Sequence, residues 1–172
     1  MFLVSFSFIM KSFLISLSAI LLLASGSLAQ SKKAEDKCKA LDPKAIELIG
    51  QYKELREKRR RLPQGEFDKD LQADDGSLSR VLSELGVLLG HPPQTKQIIQ
   101  TCLGEPDAVK NQRQMKPLLG IYERELKKAG RKVPEKNNRE YLIYFWRGWH
   151  DFIFFISEDG MIVDHGWWFA YE

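Results

Sequence analysis

Between Tyr141 and Tyr171 the chain places twelve aromatic residues, all four tryptophans among them, while only Tyr52, Phe67 and Tyr122 lie between Gln30 and Glu140. Aromatic side chains favour the pleated, half-buried surface of a strand. Here they are interrupted by Arg147-Gly148-Trp149-His150 and by Glu158-Asp159-Gly160. Short glycine-bearing turns force the flanking strands to pair antiparallel. The spacing therefore predicts strands over Tyr141–Trp146, Asp151–Ile156 and Met161–Tyr171, the last bent at Gly166. Alternation puts Leu142, Tyr144 and Trp146 on one face, and Tyr141, Ile143 and Phe145 on the other. On the middle strand Phe152, Phe154 and Ile156 oppose Ile153 and Phe155 in the same way. Neither face is polar, so neither is built to meet water. One must cover helices. The other is capped by an inserted helical segment or forms an aromatic binding surface.

The helices come first in the chain. Asp42-Pro43 reads as an N-cap and first helical residue, followed by the apolar stripe Ala45, Leu48, Ile49, Tyr52, Leu55 and Leu62. Glu54–Lys58 and Glu57–Arg61 are spaced as i, i+4 ion pairs, and Pro63-Gln64-Gly65 ends the helix. Asp74-Asp75 opens a second stripe of Leu78, Val81, Leu82, Leu85, Leu88 and Leu89, closed by Gly90. Thr95 caps a third, with Ile98, Ile99, Cys102 and Leu103 apolar and Gly104 at its end. Residues 107–116 read as a loop. A short helix carrying Leu118, Leu119, Tyr122 and Leu126 ends at Gly130, and Arg131–Arg139 is a charged link. The expected fold is α+β: N-terminal helices packed on a C-terminal three-stranded antiparallel β-meander, residues 42–172 forming one domain with an inserted helical segment at 108–140.

Residues 1–29 hold twenty apolar residues and a single charge, Lys11. The run from Ser12 to Ala24 followed by Ser27-Leu28-Ala29 has the form of a signal peptide cleaved after Ala29, with translation starting at Met10. The alternative is an uncleaved leader that tethers the chain to a membrane. Gln30–Leu41 is lysine-rich and reads as a flexible arm. Export to a secreted or periplasmic location makes Cys38 and Cys102 a candidate disulfide. Closing that loop stabilises by about 4 kcal/mol in the chain-entropy account. The formal charge of +3 argues against a nucleic-acid partner recruited by bulk charge. The basic run Arg56, Lys58, Arg59, Arg60 and Arg61 suits either an anionic contact or a solvated helix end that complements the helix dipole.

Thr95-Lys96-Gln97-Ile98-Ile99-Gln100-Thr101-Cys102-Leu103-Gly104-Glu105-Pro106-Asp107 resembles the helix of the SmpA/OmlA-type small envelope proteins. In those, a Thr-capped helix ends in Leu-Gly-x-Pro before an antiparallel meander. The Tyr141–Trp146 strand and the hairpin Phe155-Ile156-Ser157-Glu158-Asp159-Gly160-Met161-Ile162 are similar as well. The resemblance covers about a third of the chain after Ala29. It implies helices on a sheet, an envelope or secreted location, and binding rather than catalysis. The chain departs from that pattern in having no lipid-bearing cysteine after the leader and a long segment at 108–140.

Chemistry is sparse. His150-Asp151 and Asp164-His165 are the only histidine–carboxylate neighbours. A small hydrolase or metal-binding protein would join His150, Asp151 and His165. Strict strand alternation sends neighbours to opposite faces, which works against each pair. No nucleophile context and no zinc-type ligand spacing accompanies them, so no cofactor, metal or catalytic residue is expected. The candidate binding residues are Arg147, Trp149 and His150 at the first turn, with Trp167 and Trp168 on the last strand. The expected function is non-enzymatic binding of a protein or envelope component through an aromatic sheet face.

Overall fold

The computed structural model describes residues 36–128, 130 and 138–170. The leader, its cleavage point and most of the charged link lie outside the described residues. The chain divides into two compact units, Met1–Ala40 and Leu41–Glu172. Within the first, residues 36–39 form one helical turn in the stretch read as a flexible arm. Cys38 and Cys102 are disulfide-bonded, and no cysteine is free.

The second unit begins with α1 (Pro43–Arg60). Asp42 caps it, accepting from the Lys44 N–H, and Pro43 occupies its first turn. The stripe Ala45, Leu48, Ile49 and Tyr52 is buried as the periodicity predicts. Continuing that stripe by four residues reaches Arg56, which is also buried. A short α2 (Lys69–Gln72), capped by Asp68, lies where no helix is expected. Next, α3 (Ser77–Leu89) buries Leu78, Val81, Leu82, Leu85 and Leu89, while Leu88 turns outward. Its N-cap is Gly76 rather than Asp74 or Asp75. α4 (Lys96–Leu103) starts at Thr95, whose hydroxyl accepts from the Ile98 N–H, and stops at Gly104 with φ +83°.

The sheet is antiparallel and has four strands in the order β1-β2-β3-β4, not three. β2 (Arg139–Arg147), β3 (Asp151–Glu158) and β4 (Met161–Trp168) form the expected meander. The extra strand, β1 (Ala108–Asn111), pairs with β2 and places Ala108 opposite Ile143. Four residues, with Val109 and Asn111 exposed and Ala108 and Lys110 half-buried, carry too little periodicity to read as a strand. The neighbouring sheet, not local propensity, recruits them.

α5 (Gln112–Lys128) follows β1 and begins six residues earlier than the helix expected from Leu118. It decides the question of the sheet's second face. Met115 and Leu119 pack with Tyr141, Ile143, Phe152, Phe154 and Ile156 in one buried cluster, which Phe145, Val163 and Trp168 border. The opposite face carries Leu142, Tyr144, Ile153 and Phe155, all fully enclosed. Tyr144 meets Tyr52 of α1 edge-on at 6.2 Å, and Ile153 lies against Gly86 of α3. Helices thus cover both faces, and the aromatic sheet face is core, unavailable to a partner.

Candidate functional site

Three polar constellations lie around this sheet. The first joins the Leu103-Gly104-Glu105-Pro106-Asp107 linker to α1. Arg56 donates to the Leu103 carbonyl at 3.2 Å, the Glu105 carbonyl at 2.8 Å and Asp107 Oδ1 at 2.8 Å. Its guanidinium also lies 5.7 Å from the ring centres of both Tyr52 and Tyr144. Asp107 Oδ2 accepts from the Phe145 N–H at 2.9 Å, and Tyr144 donates its hydroxyl proton to the Gly104 carbonyl at 3.0 Å. Burial pushes the Tyr52 and Tyr144 phenols far above the usual tyrosine range, so both stay protonated. The Leu103–Asp107 linker is therefore a collar closed around one arginine. An arginine on an apolar stripe, four residues past a buried Tyr, was the signal for it.

The second constellation is the β2–β3 turn. Trp149 at its tip is 81% exposed, the most open of the large apolar side chains described. The turn beneath it is braced. Arg59 donates to the Phe145 carbonyl and, at 2.9 Å, to the Gly148 carbonyl. Asp151 Oδ1 accepts from the Ala170 N–H at 2.7 Å and lies 3.3 Å from His150 Nδ1. Arg147 Nη1 stands 3.7 Å from Asp151 Oδ2, and the Arg147 guanidinium covers the Phe67 ring at 5.2 Å. Two more members of the basic run are engaged as well. Lys58 bonds Asp68 at 2.8 Å, holding that carboxyl below the usual carboxylate range, and Arg60 bonds Glu57 at 2.7 Å. These pairs replace the i, i+4 partners expected from spacing.

Trp167 and Trp168 share that end of the sheet, since Trp168 pairs with Phe152. Trp168 borders the buried cluster under α5, so it is the core member of the two. Trp167 is 37% exposed and donates its indole N–H to Ser83 Oγ at 3.1 Å. Arg147, Trp149 and His150 are thus brought together, while Trp168 is withdrawn into packing.

The third constellation was not expected. His91, Asp164 and His165 each offer a ligand-type atom, and these three atoms lie within 4.8 Å of one another. His165 faces α3 from the middle of β4 and sits against two helix positions without side chains. A Cβ built on Gly90 would stand 2.2 Å from His165 Nδ1, and one on Gly86 would stand 2.8 Å from His165 Cδ2. β4 is irregular just before the Asp164–His165 pair. Ile162 pairs with Ser157 and Asp164 with Ile156, which leaves Val163 as an extra residue. Asp164 Oδ1 accepts from the His165 N–H at 2.8 Å and stands 3.9 Å from His165 Nδ1. His150 likewise reaches its own neighbour Asp151, so strict alternation is a poor guide at both pairs. His150 and His165 do not form one site. His165 pairs opposite Phe155, five residues beyond His150 along β3, roughly 17 Å at the rise of an extended strand.

Compared with family models, with curated proteins and with solved structures, the chain matches none. Among the described residues no helix is long and apolar enough to cross a membrane.

Proposed function

We propose that the chain is an exported, non-enzymatic binding protein of the cell envelope or extracellular space, contacting a protein or envelope component through the Trp149 turn. The observation that carries this is an indole 81% exposed on a turn whose backbone is tied to α1 by Arg59. An aromatic anchor held on a rigid mount loses little conformational freedom when it enters a partner's pocket. Arg147 and His150 flank it and supply polar contacts at its rim. Nucleic acid is a poor partner, because the net charge is only +3 and the arginine beside the turn, Arg59, is bonded to the Phe145 and Gly148 carbonyls. The disulfide supports an oxidising compartment. The leader, read as cleaved after Ala29, and the resemblance to small envelope proteins point the same way.

The test is quantitative pull-down from an envelope or secreted fraction with the parent chain and with Trp149→Ala. The expected result is loss of at least about tenfold of the parent's specific partner, as for a central aromatic anchor. The unfolding midpoint should be unchanged, because Trp149 lies outside the core. A Trp149→Ala chain that keeps its fold and retains every partner at parent level overturns the proposal.

A further inference from the structure

We infer that His91, Asp164 and His165 form a binding site for a single divalent transition-metal ion of the zinc type. Two imidazoles and one carboxylate are the donor set such an ion takes, with a fourth position left for water. Oxygen-seeking ions such as magnesium or calcium would want more carboxylates and carbonyls than this cluster offers.

The geometry supports one shared ion. The His91 and His165 ring centres are 5.1 Å apart with the planes 77° from parallel. Two imidazoles bound to one tetrahedral ion at normal zinc–nitrogen distances have ring centres roughly 5 Å apart. The donor atoms span up to 4.8 Å, against roughly 3.3 Å between ligands in a tetrahedral zinc site. The site must therefore draw in by about an ångström and a half, and its parts are suited to that. His165 is fixed by the helix surface at Gly86 and Gly90, and Asp164 is oriented by the His165 N–H. His91 is exposed and follows the last turn of α3, so its ring is the ligand free to close. Neighbouring Asp164 and His165 are already ordered by the sheet, which lowers the entropy lost on binding.

The site also explains a local choice of residues. Gly86 lies inside α3, where a glycine weakens a helix by roughly 1 kcal/mol relative to alanine, and Gly90 is its C-cap. Here the two leave room for the His165 imidazole against the end of the helix, beside His91. A leucine at position 165 would fill space against α3 without needing that accommodation.

The experiment is titration of the disulfide-bonded full chain with Zn²⁺, and with Co²⁺ as a spectroscopic probe, after chelator treatment. The expected result is one equivalent bound with a dissociation constant on the order of micromolar or tighter. Bound Co²⁺ should show the visible bands of a four- or five-coordinate N/O site. His91→Ala should weaken binding by at least about tenfold while leaving circular dichroism unchanged. Asp164→Asn should weaken it as well. His150→Ala, which alters the other histidine–carboxylate neighbour, should leave affinity at parent level. Weak or non-stoichiometric binding by the parent overturns the inference. So does His91→Ala binding as the parent does, or His150→Ala losing as much as His91→Ala.

Discussion

Arg56 and His165 are both basic side chains sunk against the same face of the sheet, and their surroundings differ in kind. Arg56 is enclosed by acceptors that belong to the fold: two carbonyls, the Asp107 carboxylate and two aromatic rings. Its charge is spent on joining α1 to the α4–β1 linker, and Asp107 passes that tie on to β2. His165 lies against two glycines and has the exposed His91 imidazole and the buried Asp164 carboxylate beside it. One arrangement is closed by protein atoms on every side that the sequence could supply. The other brings two imidazoles and a carboxylate together, with only the His91 ring exposed. The first is a charge matched by acceptors of the fold, the second a cluster of ligand-type atoms that the metal proposal puts to use.

The largest effect expected from this contrast comes from Arg56→Ala. It strips the donor from Asp107 and from the Leu103 and Glu105 carbonyls while leaving the collar around the gap. Breaking a buried pair in this way costs about 3–5 kcal/mol. The shift in urea midpoint reads it directly. Arg56→Lys should recover only part of the loss, since one ammonium cannot reach acceptors spread across a guanidinium fork. A loss below about 1 kcal/mol would mean that the collar is not what holds α1 to the linker.

What the sequence made legible follows the same division. Caps and stripes that act within one element were readable: Asp42-Pro43, Thr95, and the apolar series of α1, α3 and α4. So was the pairing of β2, β3 and β4, because short turns leave few alternatives. Hidden from it was whatever depended on a distant partner. β1 exists because β2 offers an edge. α5 runs back to Gln112 because the sheet's second face needs cover. Arg56 looked like one member of a basic run until its place on the Tyr52 stripe was followed. The histidine cluster required the end of α3 to meet the middle of β4, and neither writes a motif. Trp149 was legible as a candidate, but the choice between the two aromatic faces and the turn needed the position of α5.

A smaller effect tests the other side of the comparison. Gly90→Ala places a Cβ 2.2 Å from His165 Nδ1 and 2.4 Å from the Gly86 carbonyl oxygen, so the ring or the helix end must move. Overpacking of this sort costs about 1–3 kcal/mol. Gly50→Ala is the matched control. It lies inside α1, and a Cβ added there would meet nothing within 4 Å. The substitution gains roughly 0.5–1 kcal/mol from helix propensity alone. Opposite signs at the two glycines, read from thermal midpoints, would show that the close approach of His165 and the Gly86 carbonyl excludes a side chain at 90. A gain at both would show that the imidazole has room to retreat.

The smallest effect is the most discriminating. His91 is exposed and stands outside the buried clusters, so His91→Ala in chelator should change stability by no more than about 0.5 kcal/mol. If the residue only decorates the end of α3, added Zn²⁺ leaves parent and variant with equal midpoints. If it closes the third constellation, Zn²⁺ raises the midpoint of the parent, because an ion that binds only the folded state adds its binding free energy to stability. The variant then stays where it was. Arg56 would be missed with or without metal and His91 only with it, which separates a side chain that builds the fold from one that the fold holds out to a ligand.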